Sequence, residues 1–122
     1  MQALYLRPDN IATRLAWLSA GVGAAAVSIA LLGPWALALW LLPDLALLLG
    51  YSSELSKDGR LAPRAVPLYN AVHALPVPLA VVIAGLVVSP ALLGLGLIWL
   101  SHVAVDRACG YGLRDRDGHQ RG

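Results

Sequence analysis

Four ionisable side chains stand in otherwise uncharged, apolar stretches of this sequence: Asp44, His73, His102 and Asp106. Imidazole nitrogens and carboxylate oxygens are ligands for zinc, iron and manganese, so together the four could hold a divalent transition metal. A metal ion held in this way can activate water for hydrolysis. The same residue types could instead form a proton or ion relay, or tie helices together through buried Asp–His pairs.

Four further polar residues lie near these candidates along the chain. Tyr69, Asn70 and His73 are spaced i, i+1 and i+4, so a helix presents them on one side. We expect the first two to support a ligand or to contact a substrate. Arg107 and Tyr111 could hold an anionic head group or a phosphate at the mouth of a pocket. An ordinary helix end, stopped by a glycine, explains the same segment.

The composition excludes most classes of soluble protein. Of the 122 residues, 58% are hydrophobic and 13% are charged, whereas an average soluble domain has about 25% charged residues. The mean hydropathy is +0.68. A single cysteine excludes an internal disulfide and a cysteine-rich zinc motif. The net charge of +2 is too balanced for a nucleic-acid-binding face. An integral membrane protein, with the lipid bilayer as its partner, remains.

Two uncharged stretches set the predicted number of membrane spans. Residues 15–43 and residues 65–105 contain no Asp, Glu, Lys or Arg. A transmembrane helix needs about 20 residues, so each stretch has room for two helices, separated by Gly33-Pro34 or by Ser89-Pro90. The sequence therefore predicts an all-α, integral membrane four-helix bundle built from two helical hairpins. The predicted helices lie near residues 10–32, 35–51, 66–88 and 91–109.

The charged residues predict the domain limits and the orientation. Residues 1–113 form the predicted four-span membrane domain, and residues 114–122, which alternate in charge, form a predicted disordered cytoplasmic tail. Every basic residue lies before the first helix, in the central loop or at the C-terminal end. These residues are Arg7, Arg14, Lys57, Arg60, Arg64, Arg107, Arg114, Arg116 and Arg121. By the positive-inside rule, both termini lie in the cytoplasm.

The four ligand candidates are predicted to lie at one level of the bilayer. Asp44, His73 and His102 are each about seven residues, or roughly 10 Å, from the cytoplasmic end of their predicted helices. Asp106 is one turn after His102 on the same helical face. Pro43 and the prolines at positions 76 and 78 free backbone carbonyls beside these residues, those of Leu39, Val72 and Ala74. We therefore expect one intramembrane Asp/His pocket that opens to the cytoplasm.

The first predicted helix also carries a stripe of small residues, in which Ala20, Ala24 and Ser28 are spaced by four. Such stripes let helix backbones approach closely in lipid. This stripe can pack against the chain's own helices, which we favour, or form the interface of a homo-oligomer.

Several blocks of the sequence together resemble a known family. They are LPDL at residues 42–45, GY at 50–51, YN at 69–70 with His73 and Pro76, WLSH at 99–102, and DR and GYGL at 106–107 and 110–113. Over residues 15–113 they resemble domain of unknown function 4260, small bacterial four-helix membrane proteins. The resemblance implies the same topology and the bacterial cytoplasmic (inner) membrane. The family often has an acidic residue early in its first helix, which residues 13–17 lack.

A looser similarity connects the chain to membrane-bound metal-dependent hydrolases, through Pro43-Asp44 and the pairing of His102 with Asp106. It implies a metal-dependent hydrolase that acts on a lipid or lipid-linked substrate. The leading hypothesis is thus a small membrane protein with a zinc, iron or manganese site at Asp44, His73, His102 and Asp106. The alternatives are a proton-conducting, ion-conducting or transporter subunit within an oligomer, and a structural accessory subunit.

Overall fold

The computed structural model describes residues 10–120, and 75% of these residues are helical. Within this range there is no β-strand, and one isolated β-bridge joins Arg114 to Gln120. The predicted all-α fold is therefore confirmed. Arg7 and Arg121, which contributed to the orientation argument, lie outside the described residues.

Seven α-helices and two short 3₁₀ turns make up the fold of residues 10–120. The 3₁₀ turns are Leu42–Asp44 and Pro63–Ala65. The helices are α1 (Ile11–Leu32), α2 (Trp35–Trp40), α3 (Leu45–Leu49), α4 (Ser53–Ser56), α5 (Val66–His73), α6 (Pro76–Val88) and α7 (Pro90–Ala108).

In the part of the chain that the structure describes, three segments are long and apolar enough to cross a membrane: Ile11–Leu32, Pro63–Val88 and Pro90–Ala108. The segment predicted as the second span is shorter, because Trp35–Leu49 is apolar but is interrupted by the 3₁₀ turn at Pro43. Proline has no N–H to donate within a helix, so regular α-helix does not continue through this position. The structure thus supports a membrane protein with three candidate spans, and the fourth span remains a prediction.

The predicted hairpin turns coincide with helix ends. Gly33 ends α1 with φ at 74° and donates its N–H to the carbonyl of Ile29 at 2.7 Å. Glycine adopts this left-handed conformation without steric cost. At the second turn, the hydroxyl of Ser89 accepts the N–H of Leu92 at 3.1 Å and so caps α7.

Helix α7 lies at the centre of the fold, where it packs against α1, α2 and α6. Small residues make the close approaches. Ser28 on α1 donates to the carbonyl of Gly94 at 2.7 Å, and Ser101 on α7 donates to the carbonyl of Gly21 at 2.7 Å. The small-residue side of α1 therefore packs within the chain. Its buried residues are Gly21 and Ser28, whereas Ala20, part of the predicted stripe, is exposed.

Residues 114–120, which belong to the predicted disordered tail, fold back onto the central loop and α5 in the structure. The carbonyl of Gly118 accepts the N–H of Leu61 at 3.0 Å. The side chain of Asn70 pairs with the backbone N–H and carbonyl of Arg114, at 2.8 and 2.9 Å. These contacts are long-range in sequence, so charge alternation alone does not reveal them.

Candidate metal centre

The four predicted ligand candidates meet at one point. One ligand atom from each of Asp44, His73, His102 and Asp106 lies within 4.8 Å of all the others. The Nε2 atoms of the two histidines are 3.3 Å apart. Oδ1 of Asp44 is 3.3 Å from His73 Nε2 and 3.2 Å from His102 Nε2, and Oδ2 of Asp106 is 3.6 and 3.5 Å from the same atoms. The predicted convergence of separate helices is confirmed.

Three elements supply these four side chains. Asp44 is the last residue of the 3₁₀ turn between α2 and α3, and His73 is the last residue of α5. His102 and Asp106 lie one turn apart on α7, so they point to the same side. Two ligands thus come from breaks in the helical backbone, and two come from an unbroken helix that fixes their spacing.

Backbone carbonyls orient both imidazole rings. Nδ1 of His73 is 2.8 Å from the carbonyl oxygen of Tyr69, and Nδ1 of His102 is 2.7 Å from that of Trp40. A carbonyl oxygen only accepts hydrogen bonds, so each Nδ1 carries the proton and donates it. In the neutral ring, Nε2 then presents a lone pair to the cluster. Metal-binding histidines are held in this way by an acceptor at the other nitrogen.

The helix breaks supply the carbonyls that His102 and the neighbouring Trp99 use. In the 3₁₀ turn, the N–H of Asp44 bonds to the carbonyl of Leu41 at 3.1 Å, so the carbonyl of Trp40 is left for His102. After α5, Ala74 is extended with ψ at 135°. The carbonyl of Val72 there accepts the indole N–H of Trp99 at 2.7 Å. The freed Val72 carbonyl was predicted. At the first break, Pro43 was predicted to free the carbonyl of Leu39, and the carbonyl that pairs with His102 is that of Trp40.

The cluster combines buried rings with partly accessible carboxylates. Both histidine side chains are completely buried, whereas the side chain of Asp106 is 18% exposed and that of Asp44 is 41% exposed. Among residues 10–120, the two histidines are the only ion-pair partners within 4.0 Å of either carboxylate. With both rings neutral, the two carboxylates leave excess negative charge at the cluster, and this charge favours a bound cation.

Tyr69, a predicted neighbour of the ligand candidates, packs directly against one of them. Its ring stacks on that of His73, with centroids 4.0 Å apart and an interplanar angle of 16°. Its hydroxyl accepts a hydrogen bond from Gln120 at 3.2 Å, and the guanidinium of Arg114 lies 4.9 Å from its ring centre. The folded C-terminal segment therefore covers Tyr69, which in turn covers His73.

The other three predicted neighbours make structural contacts. Arg107 is buried and donates to the carbonyls of His73, at 2.9 Å, and of Tyr111, at 3.2 Å. The ring of Tyr111 is exposed, and its carbonyl makes this contact. Asn70 holds the backbone of Arg114, as described above. The structure thus brings Arg107 to the edge of the site and directs Asn70 to the C-terminal segment.

Sequence reasoning missed the role of Trp40. Besides its carbonyl contact, Trp40 packs its ring 4.7 Å from that of His102, and its indole N–H donates to Ser101 at 3.2 Å. The available signal was Pro43, three positions later, because proline marks the place where backbone carbonyls lose their helical partners.

A comparison with protein families identifies the chain. The model of the family described as domain of unknown function (DUF4260) matches residues 13–121. The chain belongs to this family. All four ligand candidates lie within the matched range, so the DUF4260 domain contains the complete cluster. No curated protein and no solved structure shows a significant match, and nothing found supports the similarity to membrane-bound metal-dependent hydrolases.

Proposed function

We propose that this DUF4260 protein is an integral membrane protein that binds one divalent transition-metal ion at Asp44, His73, His102 and Asp106. One observation carries the proposal: two Nε2 atoms face each other at 3.3 Å while both Nδ1 atoms donate to carbonyls. Two lone pairs at this distance repel each other. A shared cation turns the repulsion into two favourable contacts, and the carboxylates neutralise its charge.

We propose zinc as the bound metal, because two histidines and two carboxylates are an ordinary donor set for zinc. Iron and manganese are the other metals that this donor set suits. Five of the six separations among the ligand atoms lie between 3.2 and 3.6 Å, and all six lie within 4.8 Å, so the four atoms can share one ion.

The four ligand candidates differ in how far their side chains can move. Both histidines are buried and held at Nδ1, so they are fixed. Asp44 is the most exposed of the four and lies in a short 3₁₀ turn, so it is the ligand best placed to move aside for a substrate. With Asp44 displaced, zinc would have an open position, where it would supply a Lewis acid and an activated water, the chemistry of hydrolysis. We therefore propose hydrolysis as the reaction class.

In the membrane, we propose the two-hairpin arrangement with both termini in the cytoplasm of a bacterium, and the interrupted segment Trp35–Leu49 as its second crossing. Contacts between the central loop and the C-terminal segment support this arrangement. The side chain of Arg114 donates to the carbonyl of Gly59 at 3.2 Å, and that of Arg60 donates to the carbonyl of Asp117 at 3.0 Å. Two basic segments thus lie at the same end of the bundle, as the positive-inside rule requires of cytoplasmic segments.

Metal content tests the proposal. We expect purified protein in detergent to contain about one zinc ion per chain by elemental analysis, as four protein ligands complete a tetrahedral site. The variant Asp106→Asn should lose most of it, because an amide is a poorer ligand than a carboxylate. The matched control Asp58→Asn alters an exposed loop carboxylate and should bind zinc normally. Metal-free wild-type protein, or equal zinc in both variants, would contradict the proposal.

A proton relay is the second candidate, because Asp44, both histidines and Asp106 form a continuous chain of contacts of 3.2–3.6 Å. Such chains carry protons in membrane proteins. If the cluster is a proton relay, vesicles that contain the protein should show proton flux down a pH gradient. The variant Asp44→Asn should abolish this flux. Equal flux in wild type and variant excludes the relay.

A further inference from the structure

An apolar cavity of about 290 Å³ lies between the 3₁₀ turn, α5 and α7. Its lining is Leu39, Leu42, Pro43, Val72, Leu95, Ile98 and Trp99. The indole N–H of Trp99 donates to the carbonyl of Val72, so a hydrogen bond joins two of the walls and the cavity is formed in advance. Its size is near the lower end of small-ligand sites, enough for a segment of one chain rather than a whole lipid.

The cavity adjoins the Asp/His cluster. Pro43 directly precedes Asp44, and Val72 directly precedes His73. On the third wall, Ile98 lies one helical turn before His102. Residues of the cavity and residues of the cluster therefore lie on the same three backbone segments, the 3₁₀ turn, α5 and α7. A purely apolar surface thus adjoins a strongly polar one.

The position of the cavity along α7 limits what can occupy it. Residues 95–99 lie at the middle of the apolar helix Pro90–Ala108, which is the level of the hydrocarbon when such a helix spans a bilayer. An apolar cavity excludes water, which finds no hydrogen-bond partner there. The abundant apolar molecules at this level are the chains of membrane lipids.

We propose that this cavity binds one acyl chain of a phospholipid and thereby places the lipid's phosphate and ester oxygens at the Asp/His cluster. The contact of the head group with the metal rests on the proposed function, whereas binding of the chain does not. Oxygen atoms of phosphate are ligands for divalent ions, and the exposed carboxylate of Asp44 lies where the apolar and polar surfaces meet. A phospholipid is thus the substrate class that fits both surfaces.

Two leucines provide a matched pair of variants. Leu42 and Leu45 are 48% and 52% exposed and lie on either side of Pro43-Asp44, but only Leu42 lines the cavity. Leu42→Trp should fill the cavity with a larger ring, and Leu45→Trp should place the same ring against the surrounding lipid. Both positions are half-exposed, so either ring has room to be accommodated.

The first measurement is photolabelling in vesicles of phosphatidylglycerol that contain a trace of the same lipid with a diazirine on its acyl chain. In wild-type protein, labels should concentrate on Val72 and Leu95 rather than on exposed Leu86 and Val87 of α6. Leu42→Trp should reduce labelling of the cavity about tenfold, since a filled site excludes the chain, and Leu45→Trp should not reduce it. Labelling that follows exposure alone, or equal labelling of both variants, would overturn the proposal.

The second measurement concerns the head group and uses protein loaded with Co²⁺, whose visible absorption reports its ligands. Short-chain phosphatidic acid should shift the spectrum of wild type and Leu45→Trp and leave that of Leu42→Trp unchanged. An unchanged wild-type spectrum overturns head-group contact at the cluster. The metal content of the same samples separates the two proposals. If no metal is bound, both the metal centre and the head-group contact are refuted. If metal is bound but the photolabels are not concentrated in the cavity, the lipid site alone is refuted.

Discussion

At the scale of single residues, the candidate centre depends on side chains that donate to backbone carbonyls. At the helix breaks, His102 donates to the carbonyl of Trp40 and Arg107 donates to the carbonyl of His73. Within α5, His73 donates to the carbonyl of Tyr69. In hydrocarbon, an unsatisfied carbonyl is costly, so these contacts stabilise the breaks as well as orient the ligands. The same contacts therefore serve stability and function.

Arg107 offers a direct test of this double role. Arg107→Met removes a buried guanidinium that links the end of α5 to the segment after α7, and it leaves the carbonyl of His73 without this donor. We expect a loss of about 2–3 kcal/mol in the free energy of unfolding, as for hydrogen bonds from charged groups. Arg116→Met, at an exposed position, is the matched control. Unfolding followed by circular dichroism in detergent measures both, and equal stability of the two variants would refute the role.

At the scale of helices, α7 is the organising element, and its glycines set how closely the neighbouring helices approach. A Cβ atom on Gly96 would lie 2.6 Å from the backbone nitrogen of Val82 on α6, whereas one on Gly23 of α1 would meet nothing within 4 Å. The α6–α7 hairpin thus requires glycine at position 96, and α1 does not require it at position 23. Close backbone contact of this kind is the main source of helix association in lipid.

These two glycines predict opposite results from one substitution. Gly96→Ala should destabilise the protein by about 1–3 kcal/mol, because the helices must separate to admit the methyl group. Gly23→Ala should leave the stability unchanged or raise it by about 0.5–1 kcal/mol, since alanine is the better helix former. Thermal unfolding in the same detergent measures both. A Gly96→Ala variant as stable as wild type would show that the hairpin tolerates a wider spacing.

The elements also show how far the sequence could predict this site. Counting residues from the predicted helix ends placed Asp44, His73 and His102 at one level, because helical rise is constant. Periodicity likewise placed His102 and Asp106 on one face. Pro43 marks where a backbone carbonyl is released, but the sequence does not show that this carbonyl is that of Trp40, since the choice depends on how the 3₁₀ turn rotates the chain. Nor does the sequence show the contacts of Asn70 with Arg114, which join residues 44 positions apart.

At the scale of the whole molecule, the distribution of apolar surface matches a lipid environment. Helix α1 exposes most of its apolar residues. Of its most apolar 18-residue stretch, 11% is buried, whereas 44% of the corresponding stretch of α7 is buried. Water would make such exposure unfavourable, whereas lipid does not. The molecule thus resembles a membrane bundle in which a central helix carries the polar cluster and outer helices face hydrocarbon.

Cysteine labelling tests the orientation of the whole chain. In a Cys109→Ser background, Lys57→Cys in the central loop should react with a membrane-impermeant thiol reagent only from the cytoplasmic side. Trp35→Cys, which is 75% exposed at the first hairpin turn, should react only from the outside, because the positive-inside rule leaves that turn across the membrane. Both cysteines reacting from the same side would contradict the two-hairpin topology.

X-ray absorption spectroscopy at the zinc edge, on protein purified without chelator, tests the central claim most directly. The proposed site predicts a first shell of four nitrogen and oxygen ligands at about 2.0–2.2 Å, with the outer-shell signature of two imidazoles. That signature should weaken in His73→Asn and persist in His119→Asn, which alters an exposed residue. Protein without zinc, or zinc with a shell of water alone, would contradict the metal centre.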